Sequence, residues 1–562
     1  MDVFRANSAA GLRGSRHSAI RNFHALGLSA VPMILPMRVS SVSFTLMSSA
    51  NISPPLIQFG IETEIGIARD GEENLDVVAE SIALVRSATK SGVLMRWDYD
   101  CEDPHADMRG FHVEELRQDF DEAHYFAQDS ARQLSFVEIK SDLVLGNGAR
   151  FYNDHAHPEY CTPECGTLDE LAAHDRAGER ILMRCARKLS EERGGTVRLY
   201  KNNTDFRGHS YGCHENYLLP RSLPWETLAR AAQAFLVTRQ IIAGAGKFAL
   251  EEEDRLAGPG FQIAQRSDFF SELQSVDTMQ RRPIINTRDE PHANPGLYRR
   301  FHVILGDANM SPFATRLKTG ATALMLEVLV RHPRWPCPVL AEPLRALREI
   351  SRDPAFRWPV VLQDGAASSA IAVQRAWCQA ARQFCDLTDQ ATAALWADWN
   401  QVLTDLETDP MRCRDRLDWV AKLALIRQFQ AAQKIGADDP WLRSLDLEYH
   451  RLDFEAGLYY ALEQSGAMAW APDEAAVRRA IAEPPPSTRA CIRGRCIQKF
   501  SDHVLSAQWD HITLQGSRRP LKISLLNLFT PNELAIARQA VEAAQHPDDL
   551  AAIAEPAENC EL

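Results

Sequence analysis

An alternating run of apolar and polar residues between positions 57 and 67 constrains the fold of this chain more than any other feature. A period of two predicts a β-strand with one buried, apolar face. Side chains two positions apart lie on the same side of a strand, so Glu62 and Glu64 of this run share its polar face. Adjacent carboxylates repel each other unless a cation lies near them, and Mg²⁺ prefers such oxygen ligands. Taken alone, the segment is better explained as a solvated strand face.

Residues 147–160 form a second segment in which charged groups follow a strand pattern. One face of a strand predicted over residues 148–154 would carry a cation, a phenol and a carboxylate, namely Arg150, Tyr152 and Asp154. Burying these groups is costly unless they have a function. His155 and His157 lie among carboxylates and hydroxyls such as Glu159, which favours magnesium over zinc and a hydrogen-bonding role for each histidine.

Two later segments add polar chemistry. Residues 200–217 place Cys213 beside His214, but neighbours in a strand point to opposite faces, so a Cys–His nucleophile is not expected. Residues 286–309 contain guanidinium groups suited to phosphate oxygens, with surface ion pairing as the alternative: Arg288, Arg299 and Arg300. The sequence has no GxxxxGK[ST] loop. Carboxylates and arginines on strands together indicate ATP and magnesium acting on a carboxyl or amide group.

The charge and the cysteine content argue against several function classes. The chain carries 62 Lys and Arg against 75 Asp and Glu, a formal net charge of −13. Proteins that bind duplex nucleic acid usually carry an excess of basic residues, so we expect no nucleic-acid partner. A membrane span needs about 18 uninterrupted apolar residues, and the sequence has no such run. The 12 cysteines include no CxxC pair, so we expect reduced thiols in a cytoplasmic protein instead of a zinc site or a disulfide framework.

Composition divides the chain into three parts. Residues 1–53 are basic and serine-rich, and we expect a disordered extension or a start codon assigned too early, with an export signal as the alternative. Residues 54–483 are expected to form one catalytic domain, with a long acidic loop at about 98–142. Three prolines from Pro484 onward stop a helix, so we expect a small C-terminal domain at residues 484–562. Periodicity predicts helices at 74–91, 167–190, 225–243 and 312–331, strands at 196–200 and 300–306, and mostly helix from 338 to 482.

The longest motifs resemble the family of Pup ligases and Pup deamidases/depupylases, which are relatives of glutamine synthetase and the carboxylate-amine ligases. The matching segments are residues 60–64, 147–165, 201–217 and 285–292, and the resemblance runs from about residue 54 to about residue 526. It implies an α+β fold: a glutamine-synthetase-like, curved and mostly antiparallel sheet cradle backed by helices, plus a small C-terminal domain. It also implies ATP and Mg²⁺ as cofactors.

The family has two branches with different chemistry. The ligase joins the C-terminal glutamate of Pup to a substrate lysine, whereas the depupylase hydrolyses that isopeptide bond and deamidates a C-terminal glutamine of Pup. Residues 96–111 resemble the opening of a long loop that the ligase lacks, and residues 153–158 resemble the depupylase form, although Thr162 is the more ligase-like choice. We therefore expect a depupylase. The alternatives are a Pup ligase and an inactive Pup- or ATP-binding regulatory relative.

The resemblance assigns roles by position. Asp154 matches the catalytic aspartate, acting as nucleophile or as general base. The magnesium-site residues would be Glu62, Tyr152 and Glu159, with Glu64 as a further ligand. The residues at the nucleotide would be Arg150, Thr162 and Trp509, to which we add Arg288 for a phosphate.

The resemblance also names partners. These would be Pup and pupylated proteins, and we expect the enzyme to act as a monomer. Pup is a small acidic protein, so its groove must be basic despite the net charge of this chain. Candidate residues for part of that groove are Arg489, Arg493 and Arg495.

Overall fold

The computed structural model describes residues 57–89, 97–116, 132–248, 260–527 and 530–557. The extension predicted at residues 1–53 lies outside the described residues, as do Arg96 and the middle of the predicted long loop, residues 117–131. None of the helices in the described part of the chain combines the length and the apolarity that a membrane span requires.

The strands in the described residues are β1 Phe59–Glu64, β2 Gly66–Arg69, β3 Ala106–Asp107, β4 Phe111–His112, β5 Leu143–Val144, β6 Arg150–Asp154, β7 His157–Cys161, β8 Val197–Tyr200, β9 Cys213–Pro220, β10 Lys247–Phe248, β11 Phe261–Gln262, β12 Phe270–Ser275, β13 Arg282–Asn286, β14 Tyr298–Val303, β15 Pro359–Val361, β16 Ala367–Ser369, β17 Val504–Ala507, β18 His511–Gln515, β19 Pro520–Ser524 and β20 Glu555–Pro556. The helices are α1 Val77–Arg86, α2 Phe136–Lys140, α3 Leu168–Arg193, α4 Trp225–Ala243, α5 Pro312–Arg331, α6 Pro343–Arg352, α7 Ala370–Phe384, α8 Gln390–Thr408, α9 Asp418–Gln433, α10 Pro440–Tyr449, α11 Leu458–Gln464, α12 Glu474–Ala482, α13 Ala490–Phe500 and α14 Pro531–Ala543.

A six-stranded sheet in the order β14-β9-β1-β7-β6-β5 organises the molecule. Every neighbouring pair in it is antiparallel. Along β1 buried and half-buried residues alternate, which confirms the strand predicted from the period-two pattern. The sheet therefore has one apolar face against the helices and one polar face, as an antiparallel sheet with a single buried side requires. This arrangement confirms the predicted antiparallel sheet backed by helices.

Helices cover the apolar face of the sheet. Helix α4 packs against α5, α6 and α7, and its buried side is continuous with the apolar face of β9. The predicted helices at 225–243 and 312–331 have the bounds of α4 and α5. Helix α3 extends three residues beyond its predicted end and stops at Gly194, whose φ of 72° suits glycine. These helices form the apolar core behind the polar face.

The C-terminal residues form a compact unit of α13, α14 and the sheet β17-β18-β19-β20. Its apolar core also takes in Trp97, which opens the long loop, and Val144 of β5. The prolines separate α12 from α13, as a run of prolines should. The division into two domains stays a prediction.

The described parts of the long loop carry short elements of their own. The strands β3 and β4 pair with each other, and α2 lies just before the sheet strand β5. Tyr99 donates a hydrogen bond to Asp142 at 2.8 Å, so the two ends of the loop are tied together. Both ends thereby lie beside β6.

Candidate active site

A cavity of about 340 Å³ opens on the polar face of the sheet. It is lined by side chains from β1, β6, β7, β9 and β14 and from the loops around them, including Glu62, Arg150, Tyr152, Asp154, Glu159, His214, Arg288, Arg300, His302 and Trp509. The predicted strand face that carries a cation, a phenol and a carboxylate is therefore confirmed, since all three of its members line this cavity.

Three carboxylates meet where β1, β7 and β6 lie side by side. Glu64 and Glu159 are direct partners in the β1–β7 register, and Tyr152 faces Glu159 across β6–β7. Oxygen atoms of Glu64, Asp154 and Glu159 all lie within 4.8 Å of one another. The Tyr152 hydroxyl donates a hydrogen bond to Glu159 at 2.8 Å. We call Glu64, Asp154 and Glu159 the acidic cluster.

The electrostatics of the acidic cluster fit a divalent cation. Glu159 is 2% exposed, and burial together with repulsion from Asp154, Glu62 and Glu64 raises its pKa well above the ordinary value. Converging buried carboxylates without enough cations are costly, and a bound ion removes that cost. The donors are hard oxygens, which suit Mg²⁺. The residues predicted to hold magnesium therefore fit the ion by their chemistry.

A second cluster lies one strand away. Donor atoms of Glu62, His214 and His302 lie within 4.8 Å of one another, and His214 Nδ1 is 3.2 Å from a Glu62 oxygen. Burial raises the pKa of Glu62, but the two histidines and Arg300 outweigh it and leave the pKa well below its ordinary value. Glu62 and Glu64 share one face, as predicted, yet they belong to different clusters. The sequence analysis did not find this role for either histidine.

Cys213 and His214 point to opposite sides of β9, as predicted. The Cys213 side chain is buried in the apolar core, whereas His214 reaches the cavity. Burial raises the pKa of the thiol. The pair does not form a Cys–His couple.

Asp154 is held by a lysine that sequence reasoning missed. Lys140 Nζ lies 2.7 Å from Asp154 Oδ1, and His155 Nδ1 lies 3.3 Å from Oδ2. Burial raises the pKa of Asp154, but Lys140 and His155 outweigh it and hold the pKa well below its ordinary value. The aspartate is therefore ionised at neutral pH, as either a nucleophile or a base must be.

Arginines also line the cavity. Arg150 lies between the rings of Trp97 and Tyr152, each centroid 3.9 Å from its guanidinium carbon, and it donates to Asp142 from Nε and Nη2. Arg288 is fixed by a bond from Nε to a backbone carbonyl at 3.0 Å. These groups are suited to phosphate oxygens.

The prediction for Arg299 is wrong. Its Nη1 donates to the backbone carbonyl of Leu223 at 2.6 Å, and its guanidinium lies 5.7 Å from the Trp225 ring centre, at the start of α4. Arg299 and Arg300 are neighbours in β14, so only one of them can face the cavity, and Arg300 does.

A smaller cavity of about 80 Å³ adjoins the first and is more apolar. Thr162 and Trp509 both line it, and the Thr162 hydroxyl accepts a hydrogen bond from the Ile61 backbone at 3.0 Å. Trp509 lies in the turn between β17 and β18, with its ring edge-on to Trp97 at 5.3 Å. The C-terminal unit thus contributes an aromatic wall, and the predicted nucleotide residues surround one continuous site.

Two of the three arginines proposed for a Pup groove do not lie on an open surface. Arg489 and Arg493 are buried and form ion pairs with Glu164, and their charges lower the pKa of that buried carboxyl to about 2. They stabilise the contact between the C-terminal unit and the sheet. The prediction is wrong for Arg493, which is fully buried, whereas Arg489 also lines the smaller cavity and its role stays a prediction. Arg495 is half-buried and donates to Gln498.

A third cavity, of about 450 Å³, lies on the other side of the acidic cluster. Glu64 and Asp154 line it together with several basic side chains, namely Arg69, Arg207, Arg266, Arg282 and Arg443. Three further carboxylates also line it, namely Glu72, Glu73 and Asp205, so arginines and carboxylates are balanced there and a basic Pup groove stays a prediction.

Comparisons with known proteins place the chain in a family. Residues 58–513 match the family described as Pup-ligase protein. A depupylase from Acidothermus cellulolyticus is 41% identical over 463 residues, which is 81% of this chain and 90% of the relative. A Pup deamidase/depupylase from Mycobacterium tuberculosis is 37% identical over 469 residues, again 81% of this chain and 90% of the relative. A Pup–protein ligase from Acidimicrobium ferrooxidans is 42% identical over 387 residues, which is 66% of this chain and 84% of the relative.

Two solved structures share the fold. The complex between the prokaryotic ubiquitin-like protein Pup and its ligase PafA superposes with a TM-score of 0.69 at 29% identity, covering 87% of this chain and 92% of that one. The Pup ligase PafA in complex with ADP superposes with a TM-score of 0.65 at 32% identity, covering 77% and 96%. The antiparallel sheet, the cavity on its polar face and these relatives agree, and the chain belongs to the Pup ligase family.

Proposed function

We propose that this protein is an ATP-dependent depupylase. It hydrolyses the isopeptide bond between the C-terminal glutamate of Pup and a substrate lysine, and it deamidates Pup that ends in glutamine. The observation that carries the proposal is an ionised Asp154 that belongs to the acidic cluster and lines the cavity of about 340 Å³ together with Arg150, Arg288 and Arg300. This arrangement suits attack on an amide carbonyl beside bound phosphate.

The choice of branch rests on the extent of the similarity. The depupylase relatives cover 81% of this chain, whereas the ligase relative covers 66%. The Asp154-His155-Ala156-His157 sequence also has the depupylase form. A Pup ligase is the second candidate, because the ligase relative is 42% identical over its shorter match and both solved neighbours are Pup ligases.

For the residues that would hold the cofactors, we propose those that the resemblance assigns, together with Arg288. Magnesium would be held by Glu62, Glu64, Tyr152 and Glu159, and the nucleotide by Arg150, Thr162, Arg288 and Trp509. A bound Mg²⁺ would supply positive charge to stabilise the negative charge that develops on the scissile carbonyl oxygen. The ADP complex of the related ligase supports a nucleotide site in this fold.

Asp154 performs the chemistry in one of two ways. As a nucleophile, its carboxylate attacks the isopeptide carbonyl carbon, the lysine amine leaves, and water then hydrolyses the resulting anhydride. As a general base, it takes a proton from the water that attacks that carbon. Both routes release the lysine amine and a free glutamate carboxylate, and both require the ionised Asp154 that Lys140 and His155 maintain.

The partners are Pup and pupylated proteins. The related ligase crystallised with Pup supports Pup as a ligand of this fold. We propose that the C-terminal segment of Pup approaches Asp154 through the cavity of about 450 Å³, where five arginines are available to acidic groups of Pup. We further propose a cytoplasmic monomer. The described cysteines form no disulfide, which suits a reducing compartment.

One assay separates the candidates. A lysine-linked Pup conjugate is incubated with the enzyme and Mg²⁺, with and without ATP, and a parallel reaction contains free Pup ending in glutamate and the unmodified protein. We expect loss of the conjugate that depends on ATP. Formation of conjugate in the parallel reaction would identify a ligase, and binding of Pup without turnover in either reaction would identify a regulatory relative.

A further inference from the structure

Lys140 enters the active site from a part of the chain that the resemblance does not assign. It is the last residue of α2, at the end of the long loop. Its Nζ lies 2.7 Å from Asp154 Oδ1 and 5.7 Å from the centre of the Tyr152 ring. The side chain is 18% exposed, so the ion pair is largely shielded from water.

Several contacts fix α2 in this position. The helix starts with a reciprocal cap in which Ser135 and Glu138 bond each other's backbone. Arg86 of α1 donates to the Glu138 carbonyl at 3.1 Å. Asn153 of β6 donates to the Ile139 carbonyl at 3.0 Å. The lysine is therefore placed before any substrate arrives, which is the condition for a preorganised site.

A second ion pair of opposite polarity lies two residues further along. Asp142 accepts two hydrogen bonds from Arg150, at 2.9 and 2.7 Å. Lys140 thus pairs with Asp154, and Asp142 pairs with Arg150. These two partners are the end residues of β6. The chain from 140 to 142 fixes both charged ends of the strand that carries the catalytic aspartate.

The charge balance gives the lysine a specific task. Asp154 lies with Glu64 and Glu159 in the acidic cluster, and a cation there would attract all three carboxylates. A carboxylate bound to a divalent ion is a poorer nucleophile or base than one paired with a single ammonium group, because the doubly charged ion withdraws more of its negative charge. Lys140 offers Asp154 a separate positive partner at hydrogen-bond distance.

We propose that Lys140 is a positioning residue: its ammonium group competes with a cation at Glu64 and Glu159 for the Asp154 carboxylate and orients that carboxylate toward the substrate. The inference rests on the proposed function. It gives Lys140 a task that the reaction scheme above does not contain.

The test compares Lys140→Met and Lys140→Arg with a control, Lys188→Met. Lys188 is 47% exposed, lies on α3 and pairs with Glu192. For Lys140→Met we expect kcat for conjugate cleavage to fall by about tenfold, the order of a misplaced catalytic group, with KM unchanged. Mn²⁺ binding to the nucleotide-free protein, followed by electron paramagnetic resonance, is expected to tighten by about threefold, since a carboxylate is released toward the ion. Lys140→Arg restores both values, and the control changes neither.

A purely structural role predicts a different pattern, namely weaker Mn²⁺ binding and a lower melting temperature together with lower kcat. That pattern would overturn the proposal. Unchanged Mn²⁺ affinity together with unchanged kcat in Lys140→Met would also overturn it. A rise in kcat would do the same, because it would make Lys140 a competitor of the substrate lysine. If the wild-type protein cleaves no conjugate, the proposed function fails, and the Mn²⁺ measurement alone then decides whether Lys140 withholds Asp154 from the ion.

Discussion

Two glutamates on the central sheet are both buried, but one is paired with an arginine and the other faces further carboxylates. Glu215 of β9 accepts two hydrogen bonds from Arg239, both at 2.7 Å, and a third from Tyr217. Glu159 of β7 accepts one from the Tyr152 hydroxyl and faces other carboxylates. Burial raises the pKa of Glu215, but Arg239 outweighs it and the pKa is lowered, whereas the pKa of Glu159 is raised well above its ordinary value.

The difference separates a structural charge from a functional one. The chain satisfies Glu215 with its own arginine, and that pair ties β9 to α4. It leaves Glu159 repelled by Asp154, Glu62 and Glu64, so that a proton or a bound cation must balance its charge. Burial alone therefore does not distinguish the two roles, while the partner of the buried charge does.

Replacing Asp154 is expected to have the largest effect on the rate of conjugate cleavage. Asp154→Asn removes the nucleophile or base and keeps the side-chain shape, so we expect conjugate cleavage to fall by about a thousand-fold. The melting temperature and ATP affinity should remain near those of the wild type. The rate of conjugate loss, followed by gel or mass spectrometry, provides the measurement, and full activity in the variant would show that the residue is wrongly assigned.

Paired substitutions of the two glutamates should change stability in opposite directions. Glu215→Gln leaves Arg239 buried without its charge partner, so we expect a loss of about 3–5 kcal/mol in the free energy of unfolding. Glu159→Gln removes a repelled charge, so in EDTA we expect a gain of about 1 kcal/mol, the scale of one pKa unit. Denaturant unfolding of both variants in EDTA measures this, and a loss in both would contradict the comparison.

Removing a cavity arginine should affect nucleotide binding and leave the fold intact. For Arg288→Met we expect the KM for ATP to rise by about tenfold, since a hydrogen bond to a charged group contributes about 1.5–3 kcal/mol. Arg299→Met is the matched control, because that side chain bonds to Leu223 on the other side of the sheet. For Arg299→Met we expect a lower melting temperature with an unchanged KM for ATP. A raised KM in Arg299→Met and an unchanged KM in Arg288→Met would assign the nucleotide contact to Arg299 instead.

The pH dependence of stability should differ between the two glutamates. A raised folded pKa means that Glu159 contributes stability below its unfolded pKa near 4.5, which is lost as pH rises through the folded value. Glu215 has a lowered pKa, so its contribution is present above 4.5 and lost as pH falls. In EDTA we expect the wild type to lose stability relative to Glu159→Gln as the pH rises above 4.5. Parallel pH profiles for the two proteins would rule this out.

The sequence predicted what depends on local periodicity. Alternation placed Glu62 and Glu64 on one face and separated Cys213 from His214 because these are properties of a single strand. The same rule excludes Arg299 once Arg300 faces the site, so that error was avoidable.

The parts that escaped prediction depend on contacts between distant segments. His214 meets Glu62 through the β1–β9 register, and no pattern within either strand determines that register. Lys140 and Arg493 have partners 14 and 329 positions away. A lysine or an arginine considered without its partner is predicted to be exposed, which is why the burial of Arg493 was missed.

The most direct test follows conjugate cleavage by the wild type, Glu159→Gln and Glu215→Gln in parallel, with ATP and Mg²⁺, after normalising each rate to the folded fraction. The account predicts that Glu159→Gln is folded and nearly inactive, and that Glu215→Gln is less stable but active per folded molecule. Wild-type cleavage by Glu159→Gln would contradict the claim that the acidic cluster is the hydrolytic centre of this protein.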